Sequence, residues 1–294
     1  MSIKLAQILR NKEAEVEAAR KARSIGDLKR MIRDTPPLRS FEKALAGGFG
    51  VIAEIKRRSP SMGDMRAENV EQAPMVYAKS PIVKAISVIT DFASFGMSLE
   101  ALLKVKAVAN QPILRKDFIR SEHDVYQARA FGADAVLLMA AVLNNRDKAK
   151  RLFELASECG MDVLFEAHTK EEIGRIPEGV RIFGINSRNF MGKWRRNSIV
   201  KTLRSFLSLP DYSTNRAAFS LIEHLPENAI KVAESGITLN KIVPDVVDLG
   251  YDAALIGTSL LKDPRGVQSA ISEFEGVLMH KRTKISPVAH AVPA

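Results

Sequence analysis

Eight short apolar runs alternate with eight helical patterns between residues 51 and 279. That alternation predicts an α/β fold, a (β/α)8 TIM barrel with an N-terminal helical extension. A length of 294 residues suits one such barrel with additions. Charged and polar residues recur where the apolar runs end, and the carboxyl ends of its strands are where a parallel barrel builds its site. A doubly wound open sheet is the alternative, but the first run lacks the Gly-rich dinucleotide fingerprint that such a sheet carries.

In chain order, residues 1–47 read as helix. Leu5, Ile8, Leu9, Val16, Ile25, Leu28 and Ile32 are its packing positions, Thr35-Pro-Pro37 breaks it, and Phe41 to Leu45 adds a short turn. The segment is expected to pack on the barrel as an extension. Residues 48–280 form the barrel domain. Its expected strands are Val51–Lys56, Ala85–Thr90, Pro112–Lys116, Ala135–Met139, Asp162–Glu166, Ile182–Asn186, Ile230–Glu234 and Ala253–Ile256. The expected helices are Glu68–Ala78, Ser98–Ala109, Glu122–Phe131, Arg146–Cys159, Lys170–Arg175, Ser198–Leu207, Leu239–Leu249 and Arg265–Met279. Twice a helix runs into a Gly just before the next strand, at Gly132 and Gly250, which is a C-cap signal. The connection from Arg188 to Ile230 is longer than a helix and two loops require, so the 189–229 stretch is a lid or an insertion. Residues 281–294 carry no periodicity and read as a tail.

Composition narrows the function classes. The single cysteine, Cys159, excludes an intrachain disulfide framework and fits a reducing compartment; it reads as helix filler. Without a histidine–cysteine cluster no structural zinc is expected. No apolar run approaches membrane-span length and the N-terminus lacks a signal-peptide core, so a cytoplasmic protein without membrane contact is expected. The net charge of +10 raises nucleic-acid binding as a question. Only Lys193-Trp-Arg-Arg196 forms a basic, aromatic-containing run, so the charge is read as that of a protein handling anions, with no nucleic-acid partner expected.

The strand ends carry the chemistry. Val51, Ala53 and Ile55 share one face of the first strand; Ile52, Glu54 and Lys56 share the other. Later strands end with Lys116 and Phe118, with Arg115 and Asp117 on the opposite face; then Glu166 and His168; Asn186 and Arg188; Glu234; and Gly257. The repeated i, i+2 spacing points both members of a pair at one barrel mouth. Ser235-Gly236 and Gly257-Thr258 follow the last two strands, the usual phosphate site of a barrel. Two lysines among two or three glutamates form an acid–base group: a lysine facing carboxylates stays charged, and one crowded by another lysine has its pKa lowered. Taken singly, His168 reads as a structural or rim residue, and Lys116 reads equally as charge balance.

Glu54-Ile-Lys56-Arg-Arg-Ser59-Pro-Ser61 resembles the signature of the indole-3-glycerol phosphate synthase family. Further matching stretches follow in the family's order: Ser87-Val-Ile-Thr-Asp91, Leu114-Arg-Lys-Asp-Phe118, Gly132-Ala-Asp-Ala-Val-Leu-Leu138, Phe165-Glu166-Ala-His168, Gly184-Ile-Asn186-Ser-Arg188, Ala233-Glu-Ser-Gly-Ile237 and Leu255-Ile-Gly257. The resemblance implies the substrate 1-(2-carboxyphenylamino)-1-deoxyribulose 5-phosphate, ring closure with loss of carbon dioxide and water, and no metal or organic cofactor. It implies Lys116 as principal general acid and Glu166 as the acid–base group for dehydration. Lys56 would hold the substrate carboxylate or donate a second proton, and which lysine serves which step stays open. Glu54, Asn186 and Glu234 would orient these groups, and Arg188 would complete the carboxylate side. Ser59, Ser235, Gly236, Gly257 and Thr258 would hold phosphate; Phe95, Phe118 and Leu137 would form the aromatic slot. The expected assembly is a monomer or weak homo-oligomer. Met191-Gly-Lys-Trp-Arg-Arg196 departs from the family pattern, and a non-catalytic barrel binding a phosphometabolite or RNA is the alternative.

Overall fold

A computed structural model of the chain describes residues 3–188, 215–238 and 243–285. Its strands in chain order are β1 (Gly50–Ile55), β2 (Arg58–Ser59), β3 (Gly63–Asp64), β4 (Val83–Ile89), β5 (Ile113–Lys116), β6 (Ala135–Met139), β7 (Asp162–Ala167), β8 (Ile182–Asn186), β9 (Ile230–Glu234) and β10 (Ala253–Ile256). The eight longer strands close in the order β1-β10-β9-β8-β7-β6-β5-β4, all parallel, while β2 and β3 form a small antiparallel hairpin after β1. The barrel expected from sequence is therefore present.

The two sides of each strand bury apolar groups against different partners. Ile52, Ala85, Leu114, Leu137, Leu164, Val232 and Leu255 fill the barrel interior. Val51, Ala53, Ile55, Ile86 and Val88 face the helix layer. A parallel strand buried on both faces has no polar alternation to show, which is why the runs read as continuously apolar. The helix C-cap signals hold: Gly132 and Gly250 lie at φ 85° and 88°, in the left-handed region. Helix N-termini are capped locally, as where Ser121 and Asp124 exchange bonds to open the helix Glu122–Ala130.

The extension is three helices rather than one broken only at the prolines: α1 (Ile3–Ala22), α2 (Ile25–Arg33) and α3 (Phe41–Leu45). A capping box between Ser24 and Asp27 starts α2, an N-terminal signal that overrides the continuing periodicity. Leu5, Ile8, Leu9 and Leu28 are buried as expected, whereas Ile25, the first residue of α2, stays 37% exposed. The segment reaches both ends of the barrel. Lys12 of α1 pairs with Asp117, just beyond the carboxyl end of β5, at 2.8 Å. Phe41 and Leu45 of α3 are fully buried in the inner cluster. The Phe41 and Glu42 amides donate to Asp162 Oδ2, at the amino end of β7, at 2.7 and 3.0 Å.

Most of the long connection after Arg188, with the expected helix Ser198–Leu207 and the basic run at Trp194, lies outside the described residues. Its far end is a 3-10 helix, Arg216–His224, whose Phe219 meets Tyr251 edge-on at 5.7 Å. The last helix, Val267–Ile285, continues past Met279 into the segment read as a tail. Among the described residues no helix is long and apolar enough to cross a membrane.

Candidate active site

At the carboxyl ends of the strands lies a cavity of about 590 Å³. Ten residues singled out in the sequence line it: Glu54, Lys56, Phe95, Lys116, Asn186, Arg188, Ser235, Gly236, Gly257 and Thr258. They come from β1, the turn after β4, β5, β8, β9 and β10, so the i, i+2 spacing does converge on one mouth. Lys262, Ser61 and Thr238 also line it and were not selected from sequence. Ser61 stood in the quoted motif, but nothing in its spacing separated it from Ser59. Ser59 itself is buried and accepts the Met62 amide at 3.0 Å, which shapes the loop between β2 and β3. Phe118 and Leu137 belong to the inner apolar cluster, against which the partly buried Phe95 packs.

Glu54 and Lys56 point the same way because they are two apart on one strand, and their side chains meet at 2.5 Å. Both are nearly inaccessible to solvent. Burial raises the Glu54 pKa, but the Lys56 and Lys116 charges outweigh it and hold the carboxyl below its usual range. Lys56 goes the other way. Burial lowers its pKa, the Glu54 carboxylate only partly restores it, and Arg188 and Lys116 push it down further. Gly257, just after β10, has to lack a side chain here: a Cβ would fall 2.5 Å from Glu54 Oε1 and 3.0 Å from Glu54 Cβ.

Lys116 stands over a pair of fully buried carboxylates. Its Nζ lies 3.8 Å from Glu166 Oε2 and 3.8 Å from Glu234 Oε2. Burial works against its charge, yet Glu166, Glu234 and Glu54 together raise its pKa, so Lys116 stays protonated at neutral pH. Glu234 is pushed well above the usual carboxylate range, first by burial and then by the Glu166 charge. Burial and the neighbouring carboxylate thus favour the protonated form of Glu234. Room for Glu234 comes from Gly184 of β8, where a Cβ would sit 2.0 Å from Glu234 Oε1.

The rim is tied together by its own polar groups. Asn186 Oδ1 accepts the Arg188 amide at 2.9 Å, leaving the Asn186 NH2 group as its remaining donor. Arg188 Nη1 donates to Ser61 Oγ at 3.1 Å and links β8 to the β2–β3 loop. Ser187 Oγ donates to the Ser235 carbonyl at 2.8 Å. Ser235 holds φ at 69°, the one non-glycine positive φ among the described residues, and Gly236 follows at 67°. An ordinary residue in that region costs about 1–2 kcal/mol, and such strain gathers where backbone must meet a ligand. Thr258 opens a short helix after Gly257, so its first amides are not used within the helix.

A family model described as indole-3-glycerol phosphate synthase matches residues 5–193. Curated relatives of that name extend the likeness over most of the chain. The Bacteroides thetaiotaomicron protein is 37% identical over 262 residues, covering 89% of this chain and 94% of its own. The Nocardioides protein is 38% identical over 261 residues, covering 87% and 92%. The Micrococcus luteus protein is 36% identical over 266 residues, covering 88% and 92%. The chain belongs to the indole-3-glycerol phosphate synthase family. The family match ends at Lys193, inside the Met191–Arg196 stretch that departs from the family's pattern. Every other motif read from the sequence falls on or beside a described barrel strand, and Lys116 meets both Glu166 and Glu234.

Of the two readings of His168, structural or rim, the structure excludes the rim: the residue is buried beside Glu166, with Nε2 3.4 Å from Glu166 Oε1. It lies two residues beyond Glu166, just past the end of β7.

Proposed function

We infer that the chain converts 1-(2-carboxyphenylamino)-1-deoxyribulose 5-phosphate to indole-3-glycerol phosphate, with release of carbon dioxide and water. The observation that carries this reading is Lys116, which lines a cationic cavity with its Nζ 3.8 Å from each of two fully buried carboxylates, Glu166 and Glu234.

The substrate carries a carboxylate and a phosphate, and Lys56, Lys116, Arg188 and Lys262 around the cavity match those charges. The strained Ser235-Gly236 turn, Gly257 and Thr258 are assigned to the phosphate, which backbone amides can approach closely. Ser59 supports that side by shaping the loop that carries Ser61. Phe95, with Phe118 and Leu137 behind it, is the apolar wall for the aromatic ring.

In the reaction the ring carbon bearing the carboxylate attacks the ribulose carbonyl carbon. The carbonyl oxygen takes a proton from Lys116, and the anilino nitrogen becomes an iminium. Loss of carbon dioxide returns the bonding pair to the ring and restores aromaticity. The new hydroxyl then leaves as water after taking a second proton, and a base removes the hydrogen on the adjacent carbon to complete the pyrrole. One proton is consumed overall. Lys116 can be recharged from the proton the carboxylate pair holds, since both members lie 3.8 Å from its Nζ. Glu166 is assigned to the dehydration. Glu54 keeps Lys56 in place beside the substrate carboxylate, and Asn186 orients the sugar hydroxyls.

The test is a fluorescence assay for the indole product using wild type and Lys116→Ala. Product from wild type alone is expected, with Lys116→Ala losing on the order of 10²–10⁴-fold or more in rate while its circular dichroism stays native. Wild-type activity in Lys116→Ala would remove the acid assignment, and a folded wild type without product would overturn the reading.

A further inference from the structure

Glu166 and Glu234 look alike at first: both are fully buried, both lie 3.8 Å from Lys116, and neither accepts a hydrogen bond from a protein donor among the described residues. Their surroundings differ in one respect. Glu166 Oε2 faces Lys116, and Glu166 Oε1 faces His168 Nε2 at 3.4 Å. Glu234 has no second cation within 4 Å among the described residues.

His168 is held so that it keeps this position. Thr169 caps the short helix Lys170–Ile173 by accepting the Glu172 amide. The Glu172 carboxylate then reaches back to His168, taking the backbone amide at 2.7 Å and lying 3.2 Å from Nδ1. With Glu172 on one ring nitrogen and Glu166 beyond the other, the imidazole stands between two buried carboxylates. A proton on each nitrogen gives the ring a positive charge that faces both carboxylates. Burial disfavours that charge, but Glu172 and Glu166 outweigh burial and raise the pKa of the ring, while Lys116 opposes them.

We propose that His168 is a positioning residue that divides the labour of the carboxylate pair. Clamped by Glu172, it presents a charged Nε2–H to Glu166 Oε1, so that Glu166 is the ionised member and Glu234 carries the shared proton. The inference rests on the proposed reaction and deepens it. Glu166 becomes the base that takes the hydrogen lost in dehydration, and Glu234 becomes the acid that returns a proton to Lys116. The charged groups around the relay are Glu172 on the following helix, Glu166 on β7, Lys116 on β5 and Glu234 on β9.

The experiment is a ¹³C-carboxyl NMR titration of the wild type, with Glu166 assigned by its loss in Glu166→Gln, repeated for His168→Gln and Glu172→Gln. The Glu166 midpoint is expected to rise by half a unit or more in His168→Gln, and by less in Glu172→Gln. In the turnover assay the acid limb of the kcat profile should move up by the same amount, with kcat down about tenfold and KM within threefold. A merely structural role would lower the rate without moving either midpoint. An unmoved Glu166 midpoint in folded His168→Gln and Glu172→Gln overturns the proposal. A shifted midpoint in a protein that makes no indole product would instead overturn the proposed reaction and leave the pairing standing.

Discussion

Replacing Gly184 by alanine tests whether the seat of Glu234 is built by an absence on the neighbouring strand. The added methyl would lie 2.0 Å from Glu234 Oε1 and 3.2 Å from its Cδ, so the carboxyl has to retreat by about 1 Å to reach ordinary contact. Leu164 Cδ1, 3.4 Å from the same point, closes one side, and Glu234 is fully buried. In the state in which Glu234 has given up its proton, it attracts Lys116, 3.8 Å away, by about 4 kcal/mol at an effective dielectric near 20, and one further ångström removes about 1 kcal/mol of that. That is roughly fivefold in the proton equilibrium of Lys116. Overpacking adds about 1–3 kcal/mol against folding, or a few degrees in Tm for a chain near this size. The clash falls on the end of a flexible side chain, so folding should survive and catalysis should suffer more. The assay pairs a thermal melt with kcat from product fluorescence. Gly184→Ala with wild-type Tm and wild-type kcat would refute the reasoning, because the space opposite Glu234 would then not be what places it.

Lys12→Met removes one of the two cations at Asp117 and should cost about 3 kcal/mol, with hydrogen exchange rising in the helix Ile3–Ala22 before the barrel loosens. Burial pushes the Asp117 pKa up, but Lys12 and Arg115 outweigh it and hold the carboxyl far below its usual range. Its stabilising contribution is thus complete above an unfolded pKa of about 3.9 and lost as pH falls through the folded value. The wild-type helix should begin to show the same excess exchange below about pH 4. Asp162→Asn weakens the acceptor of two amides at the start of α3 and should lower stability by about 1–3 kcal/mol in a urea melt, with kcat little changed. Cys159→Ser at the cap of the helix Arg146–Glu158 should leave turnover within about twofold; a large loss in the product assay would mean the thiol has a role its place in the fold does not give it.

The barrel was legible because every barrel strand shows an apolar run and several, such as β1, β5, β7 and β9, end in or beside a charge. Glu54 and Lys56 did face one mouth, and so did Lys116, Asn186 and Gly257. Strand pairs of two residues, such as Arg58–Ser59 with Gly63–Asp64, have too little pattern to be read, so Ser61 at the cavity wall could not be told from the buried Ser59. The break in the extension was missed because the helical period runs through Ser24 unchanged while the cap acts through hydrogen bonds. The surroundings of His168 were hidden for a different reason. A histidine's meaning depends on which carboxylates stand at its two nitrogens, and one of them, Glu172, arrives through the geometry of a four-residue helix. Glu234 could be placed from sequence but not given its protonation, which depends on Glu166 from a strand two places away in the barrel.

The strap formed by the first 45 residues has a consequence for how the molecule is made. Its anchoring bonds join residues far apart in the chain: Lys12 to Asp117 across 105 positions, Arg39 to Asp134 across 95, and Phe41 to Asp162 across 121. The segment leaves the ribosome ahead of the barrel, yet none of its three anchor points exists until much later. Short helices with no partner are marginal in water, so the extension waits as a loosely ordered chain while the sheet is synthesised. It can dock only on strands that have already been synthesised, and contacts of such long span close slowly. A segment made before the barrel is thus among the last to settle, and a nascent chain halted before β7 would carry an open-ended floor with no seat for α3.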